Sequence, residues 1–171
     1  MRILILGAGQ VGKTVAGALS HERNDITVVD RNEPLLKSLE KRLDIRTVIG
    51  HAAHPDVLIR AGAEDAELIL AVTDSDETNM IACQVAYSLF QTPTRLARIR
   101  SQSYQRYPAL FSTSGIQVDY IINPEMILVQ SIEHLIEQTE ALQILDFAGG
   151  KVQLVAVKAH RGGPLVGNEL R

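Results

Sequence analysis

The stretch Arg2–Asp30 constrains the fold more tightly than any other part of the chain. Five residues of strand character, Arg2-Ile-Leu-Ile-Leu6, run into Gly7-Ala8-Gly9-Gln10-Val11-Gly12. A helical pattern opens at once, with Val11, Val15 and Leu19 on one face. A second apolar strand, Ile26-Thr-Val-Val29, then closes on Asp30. Strand, glycine turn, helix, strand and acid, in that order, make the dinucleotide-binding fingerprint. Gly7 permits the tight turn, Gly9 lets backbone approach a pyrophosphate, and Gly12 lets helix and strand pack closely. The helix N-terminus offers unpaired N–H groups and a positive dipole end to phosphate. Asp30 follows Gly12 by close to the roughly 20 residues the fingerprint asks for, where a carboxylate accepts hydrogen bonds from both ribose hydroxyls. A carboxylate there also repels a 2′-phosphate, an effect that Arg31 beside it softens. The competing reading is a glycine turn in an α/β protein that binds nothing. It leaves Asp30 unexplained, although acids at strand ends are common.

Composition narrows the function classes. Of 171 residues, 46% are hydrophobic, enough for a packed core rather than a disordered chain. The net charge of −3 comes without a basic run, which argues against phosphate-led nucleic-acid binding. Trp is absent and aromatics reach only 4%, which argues against a base-stacking surface. The single cysteine, Cys83, permits no internal disulfide and lies in an apolar helical pattern, so it reads as core. Four apolar residues after Arg2 are too few for a signal h-region, and no run approaches the ~18 residues of a membrane span. A soluble, cytoplasmic chain is predicted.

Strand and helix signals alternate beyond Asp30. Strands are predicted at Arg46–Ile49, Leu68–Val72, Arg95–Ile99 and Asp119–Ile122. Helices are predicted at Glu33–Lys41 (with Asn32 as N-cap), Pro55–Ala61 (stopped by Gly62), Glu77–Phe90 (with Ile81, Val85 and Leu89 on one face) and, more weakly, Tyr104–Phe111. Such alternation implies an α/β fold, a Rossmann-like doubly wound parallel sheet of six strands in the order 3-2-1-4-5-6, over residues 1–123. The pattern changes after Pro124. Glu125–Glu140 reads as one helix, with Met126, Val129, Ile132 and Ile136 at helical spacing and Ile127, Leu128 and Leu135 widening the face. Leu142–Phe147 and Lys151–Lys158 read as strands around Gly149-Gly150. His160–Pro164 is a turn before Leu165–Leu170. Two strands cannot bury a core alone, so the sequence reads as a fragment cut inside a second domain.

Three further clusters carry chemistry. Thr73-Asp74-Ser75-Asp76-Glu77-Thr78-Asn79 follows the fourth strand and, by the switch-point rule, faces the glycine turn. Thr73 and Ser75 are placed to reach a phosphate bridge or a second ribose; the plainer reading is a helix start, with Ser75 as N-cap and acids in the first turn. Arg98 and Arg100 end the fifth strand and share a face by strand alternation, set to pair with phosphates or the distal half of a ligand. They read equally as surface arginines. Gly50-His51-Ala52 closes the third strand near the expected adenine position. His51 and His54 lack a third partner nearby, so no metal site is read there. His21, His134 and His160 are isolated. No catalytic acid or base set appears, so the ligand reads as a signal rather than a reactant.

The residues Met1–Gly12, Val29-Asp30, Ala61–Ala66, Ala71–Asn79, Ala97–Arg100 and Asn123-Pro-Glu125 together resemble the RCK (KTN) domains that regulate potassium channels and transporters. The resemblance covers nearly all of residues 1–130. It implies a cytosolic regulatory subunit that senses NAD(H) or ATP/ADP and gates potassium uptake through a Trk-type membrane partner, on whose inner-face surface it sits. It carries binding roles onto Gly7, Ala8, Gly9, Gln10, Val11, Asp30, Thr73, Asp74 and Arg98. His51 departs from the acid or Asn usual in that family. The helix over residues 124–140 then becomes a crossover and dimerising helix, residues 141–171 the start of a truncated α+β subdomain, and the assembly a homo-oligomeric ring. Two other readings stay open. One is an NAD-dependent oxidoreductase whose substrate domain lies beyond Arg171. The other is an assembly domain with an empty cleft.

Overall fold

The computed structural model describes residues 1–137, 141–147, 152–157 and 166, and divides into two compact units, Met1–Asn123 and Pro124–Arg171. In the first unit the elements are β1 (Arg2–Leu6), α1 (Gln10–Ser20), β2 (Asp25–Asp30), α2 (Glu33–Glu40), β3 (Arg46–Ile49), α3 (Pro55–Arg60), β4 (Leu68–Ala71), α4 (Asp76–Phe90), β5 (Thr94–Arg98), α5 (Gln102–Gln105) and β6 (Tyr120–Ile122). All six strands are parallel, in the order β3-β2-β1-β4-β5-β6. The predicted order therefore holds, and β1 and β4 are neighbours at the sheet's centre.

The central strands are buried on both faces, which is why they read as unbroken apolar runs rather than alternating ones. One face carries Ile3, Ile5, Ala16, Ile26, Val28, Leu36 and Leu39. The other carries Leu4, Leu6, Val29, Val57, Leu58, Ile69, Met80, Cys83 and Ala97. Each large aliphatic side chain buried this way stabilises the fold by roughly 1.5–3 kcal/mol. Helix ends follow local chemistry. The Asn32 side chain accepts from the Leu35 N–H at 3.2 Å and Pro34 sits in the first turn of α2. Gly62, at φ +86°, provides the left-handed residue that ends the α3 turn.

Two expectations fail here. On α4 the residues Ile81, Val85 and Leu89 do not form one packed face: Ile81 and Leu89 are 50% and 58% exposed, and Val85 alone packs, half-buried, against the core. The buried face is Asp76, Asn79, Met80, Ala82, Cys83 and Ala86. Ala82, Cys83 and Ala86 on that face are small enough to let the helix lie close to the sheet. The predicted helix Tyr104–Phe111 is also broken. α5 stops at Gln105, and a separate 3₁₀ turn runs from Pro108 to Phe111. Tyr107, at φ −120° and ψ 74°, is held out of helical conformation by the following proline ring.

The second unit contains α6 (Pro124–Glu137) and an antiparallel pair, β7 (Ala141–Phe147) and β8 (Val152–Val157). The predicted extension of the helix to Glu140, Gly149-Gly150, the turn His160–Pro164, and Leu165–Leu170 apart from Val166 lie outside the described residues.

Candidate functional site

The carboxyl ends of β1 and β4 meet at the glycine turn. Gly7 has φ +112°, and a β-carbon there would lie 2.9 Å from both the Thr73 nitrogen and the Val72 carbonyl oxygen. Only glycine lets the turn rest against the end of β4. Gly12 is tighter still, since its β-carbon would fall 1.9 Å from the Gly7 carbonyl oxygen. Gly9 differs from both. It is exposed, and a β-carbon on it would meet nothing within 4 Å. This residue is the N-cap of α1, which has no side-chain cap and no acid in its first turn. Helix N–H groups at such an end have no intrahelical partner and attract anions.

Asp30 is locked beside this turn. Its Oδ2 accepts the Ala8 N–H at 2.6 Å and its Oδ1 accepts the Asn32 N–H at 2.7 Å. Each oxygen keeps further acceptor capacity for a ribose hydroxyl. The Gly50 N–H donates to the Asp30 carbonyl at 2.9 Å, which brings the end of β3 alongside. His51 follows, half-buried. Its Nδ1 accepts the Ala53 N–H at 3.3 Å, and its ring stacks on that of His54 with centroids 4.5 Å apart. Burial, helped by the nearby positive charge of His54 and Arg31, pushes the His51 imidazole below its ordinary pKa. Ala52 is buried and Arg31 exposed. Among the described residues no three His, Cys, Asp or Glu side chains converge as metal ligands.

Across the crevice, Ser75 caps α4 by accepting the Thr78 N–H at 3.1 Å, and Asp74 is exposed. Thr73 faces Asn79, whose Oδ1 accepts both the Thr73 N–H at 2.9 Å and its hydroxyl at 2.7 Å. Arg98 closes β5 with its side chain half-buried. Arg100 lies two residues beyond the end of β5 and is exposed. Its backbone N–H donates to Asp76 Oδ2 at 2.9 Å, and its guanidinium reaches the Asp74 carbonyl and approaches Asp76 Oδ1 at 3.8 Å.

Asn79 and Asp76 are the residues that sequence reasoning passed over, beyond their place in a helix start. The signal was present: two polar residues fall on the face of α4 that carries Met80 and Cys83, where a polar group needs a partner. Arg95 is the other omission. Its buried guanidinium binds Asp119 at 2.7 Å and the Gln117 carbonyl at 3.1 Å, at the start of a strand whose last arginines alone were singled out.

Residues 3–124 match the TrkA-N domain. The chain belongs to that family. A curated relative, the Trk system potassium uptake protein TrkA of Vibrio alginolyticus, is 57% identical over 171 residues, covering 99% of this chain and 37% of the relative. The chain thus spans little more than a third of that relative's length. Two solved structures share the fold. The GsuK channel bound to NAD has a TM-score of 0.67 and 21% identity, covering 85% of this chain and 25% of that one. GsuK bound to ADP has a TM-score of 0.67 and 23% identity, covering 81% and 35%.

Proposed function

We propose that the crevice binds NAD(H) or ATP/ADP, and that this chain is the nucleotide-sensing part of a cytoplasmic regulatory subunit that gates potassium uptake through a Trk-type membrane partner, not an enzyme. The observation that carries the reading is the uncapped α1 N-terminus, open above Gly9, with the Asp30 carboxylate fixed beside it 2.6 Å from the Ala8 nitrogen. Residues 7–12 then receive phosphate, Asp30 receives the adenosine ribose, and His51 and Ala52 border the adenine. Thr73, Asp74, Ser75 and Arg98 border the distal part, with Arg100 bracing the loop that presents them. Support comes from the name of the Vibrio relative and from the NAD and ADP in the names of the two channel structures.

On this reading residues 1–123 are the nucleotide domain, 124–140 a crossover and dimerisation helix, and 141–171 the start of a further subdomain. The whole subunit assembles as a ring on the inner face of the membrane through its partner. Calorimetric titration with NAD⁺, NADH, ADP and ATP tests the ligand. Binding of at least one with a Kd below about 1 mM, and tighter than adenosine alone, is expected. If none of the four binds more tightly than adenosine, phosphate recognition at the turn is wrong.

A further inference from the structure

The Asn79 side chain sits between the two loops of the crevice and is fully buried. Its single acceptor takes two donors from Thr73. Its amide nitrogen donates to the Thr73 carbonyl at 3.3 Å and to the Arg98 carbonyl at 2.8 Å. A carboxamide is the one small side chain with both a two-lone-pair acceptor and two donors, and all of them are engaged here. An aspartate of the same shape keeps the acceptor for the Thr73 N–H and hydroxyl but loses both amide donations, to the Thr73 carbonyl and to the Arg98 carbonyl. One helical turn earlier, Asp76 Oδ2 accepts the N–H groups of Arg100 and Ser101 at 2.9 and 2.8 Å. One face of α4 thus holds the segment 98–101 while Asn79 also holds Thr73, and Thr73 is the residue against which Gly7 is packed.

We infer that Asn79 is the positioning residue of this crevice: it ties the glycine turn, through Thr73, to the Arg98–Ser101 segment, so that a phosphate-bearing ligand seated at the turn tightens that segment as well. The inference rests on the nucleotide-binding reading for its ligand but not for the tie itself. Buried networks of this kind are apportioned cleanly only by double-mutant cycles, and a route between sites needs measured coupling.

The test is amide hydrogen exchange at Arg100 and Ser101 in the chain, in Thr73→Val, in Asn79→Ser and in the double variant. Thr73→Val is expected to speed exchange at these two amides roughly fivefold or more in the parent and to add nothing in Asn79→Ser. Asn79→Asp provides a second background should Asn79→Ser not fold. An effect of Thr73→Val that is absent, or equal in both backgrounds, overturns the tie whatever the ligand does. Saturating NADH or ADP is then added to the parent and to the Asn79 variant. Protection of Ala8–Val11 together with Arg100 and Ser101 in the parent, but of Ala8–Val11 alone in the variant, supports the inference. Protection confined to Ala8–Val11 in both overturns it. If neither nucleotide protects Ala8–Val11 in the parent, the nucleotide reading fails, and the Thr73–Asn79 cycle still decides the tie.

Discussion

Two backbone N–H groups hold the Asp30 carboxylate, so its orientation is set by the fold rather than by a ligand. Charge-assisted hydrogen bonds to such a group contribute roughly 1.5–3 kcal/mol each. Asp30→Ala is therefore expected to weaken NADH binding at least about tenfold, and calorimetry will show it. The native chain is expected to bind NADPH more weakly than NADH, because a 2′-phosphate meets the same carboxylate. Equal affinities remove Asp30 from the ribose. His51 gives a pH prediction at the same scale. Its pKa is lowered, first by burial and then by the nearby His54 and Arg31. The folded chain takes up this proton less readily than the unfolded one. The neutral imidazole's stability contribution is thus complete above about pH 6.5 and declines as pH falls toward the folded value. Titration followed by NMR is expected to place His51 below that figure, and His54→Gln to move it upward. An unchanged His51 titration in that variant removes His54 from the causes and leaves burial and Arg31.

At the scale of elements, what the sequence reveals depends on how local the cause is. The turn at Gly7–Gly12, the Asn32 cap and the stop at Gly62 follow from short-range chemistry, and the strand order follows from the handedness of strand–helix–strand crossovers; all were legible. The face of α4 was not. Ile81, Val85 and Leu89 recur at four-residue spacing, and Asp76, Asn79, Cys83 and Ala86 recur at helical spacing too. Hydrophobicity favours the first set, while close approach to the sheet selects the second. Nothing within the helix weighs these against each other. The polar tie through Asn79 was hidden for the same reason, since its partners Thr73 and Arg98 lie on two different strand ends. The packing contrast is measurable. Cys83 is 0% exposed, and burial holds its thiol pKa at about 12. Cys83→Leu is expected to lose about 1–3 kcal/mol by overpacking, whereas Leu89→Lys stays within about 0.5 kcal/mol of the parent. Urea unfolding will read both. A larger loss from Leu89→Lys than from Cys83→Leu would restore the branched stripe as the packed face.

At the scale of the whole molecule, the second unit raises the question of assembly. On α6, Ile127 and Leu128 are 60% and 61% exposed, and Val129 and Ile132 are 44% and 45% exposed. Leu128, Val129 and Ile132 fall on one face of the helix by i,i+3 and i,i+4 spacing, with Ile127 at its edge, and soluble monomers rarely leave a large apolar patch of this kind in water. A second copy of the helix covers such a patch at no cost in buried charge, since the intervening positions carry no acid or base. The chain is therefore expected to run as a dimer or larger species when size exclusion is coupled to light scattering. Ile132→Asp puts a carboxylate into that contact, where burial without a partner costs several kcal/mol. It is expected to yield a monomer. Every residue assigned to the nucleotide lies between Gly7 and Arg100, on the other unit, so the monomer is expected to keep the parent's NADH affinity. Loss of binding together with dimerisation would mean that the crevice needs the partner chain. A parent that stays monomeric at high micromolar concentration would remove α6 as the dimerising helix and, with it, the ring assembly built on that helix.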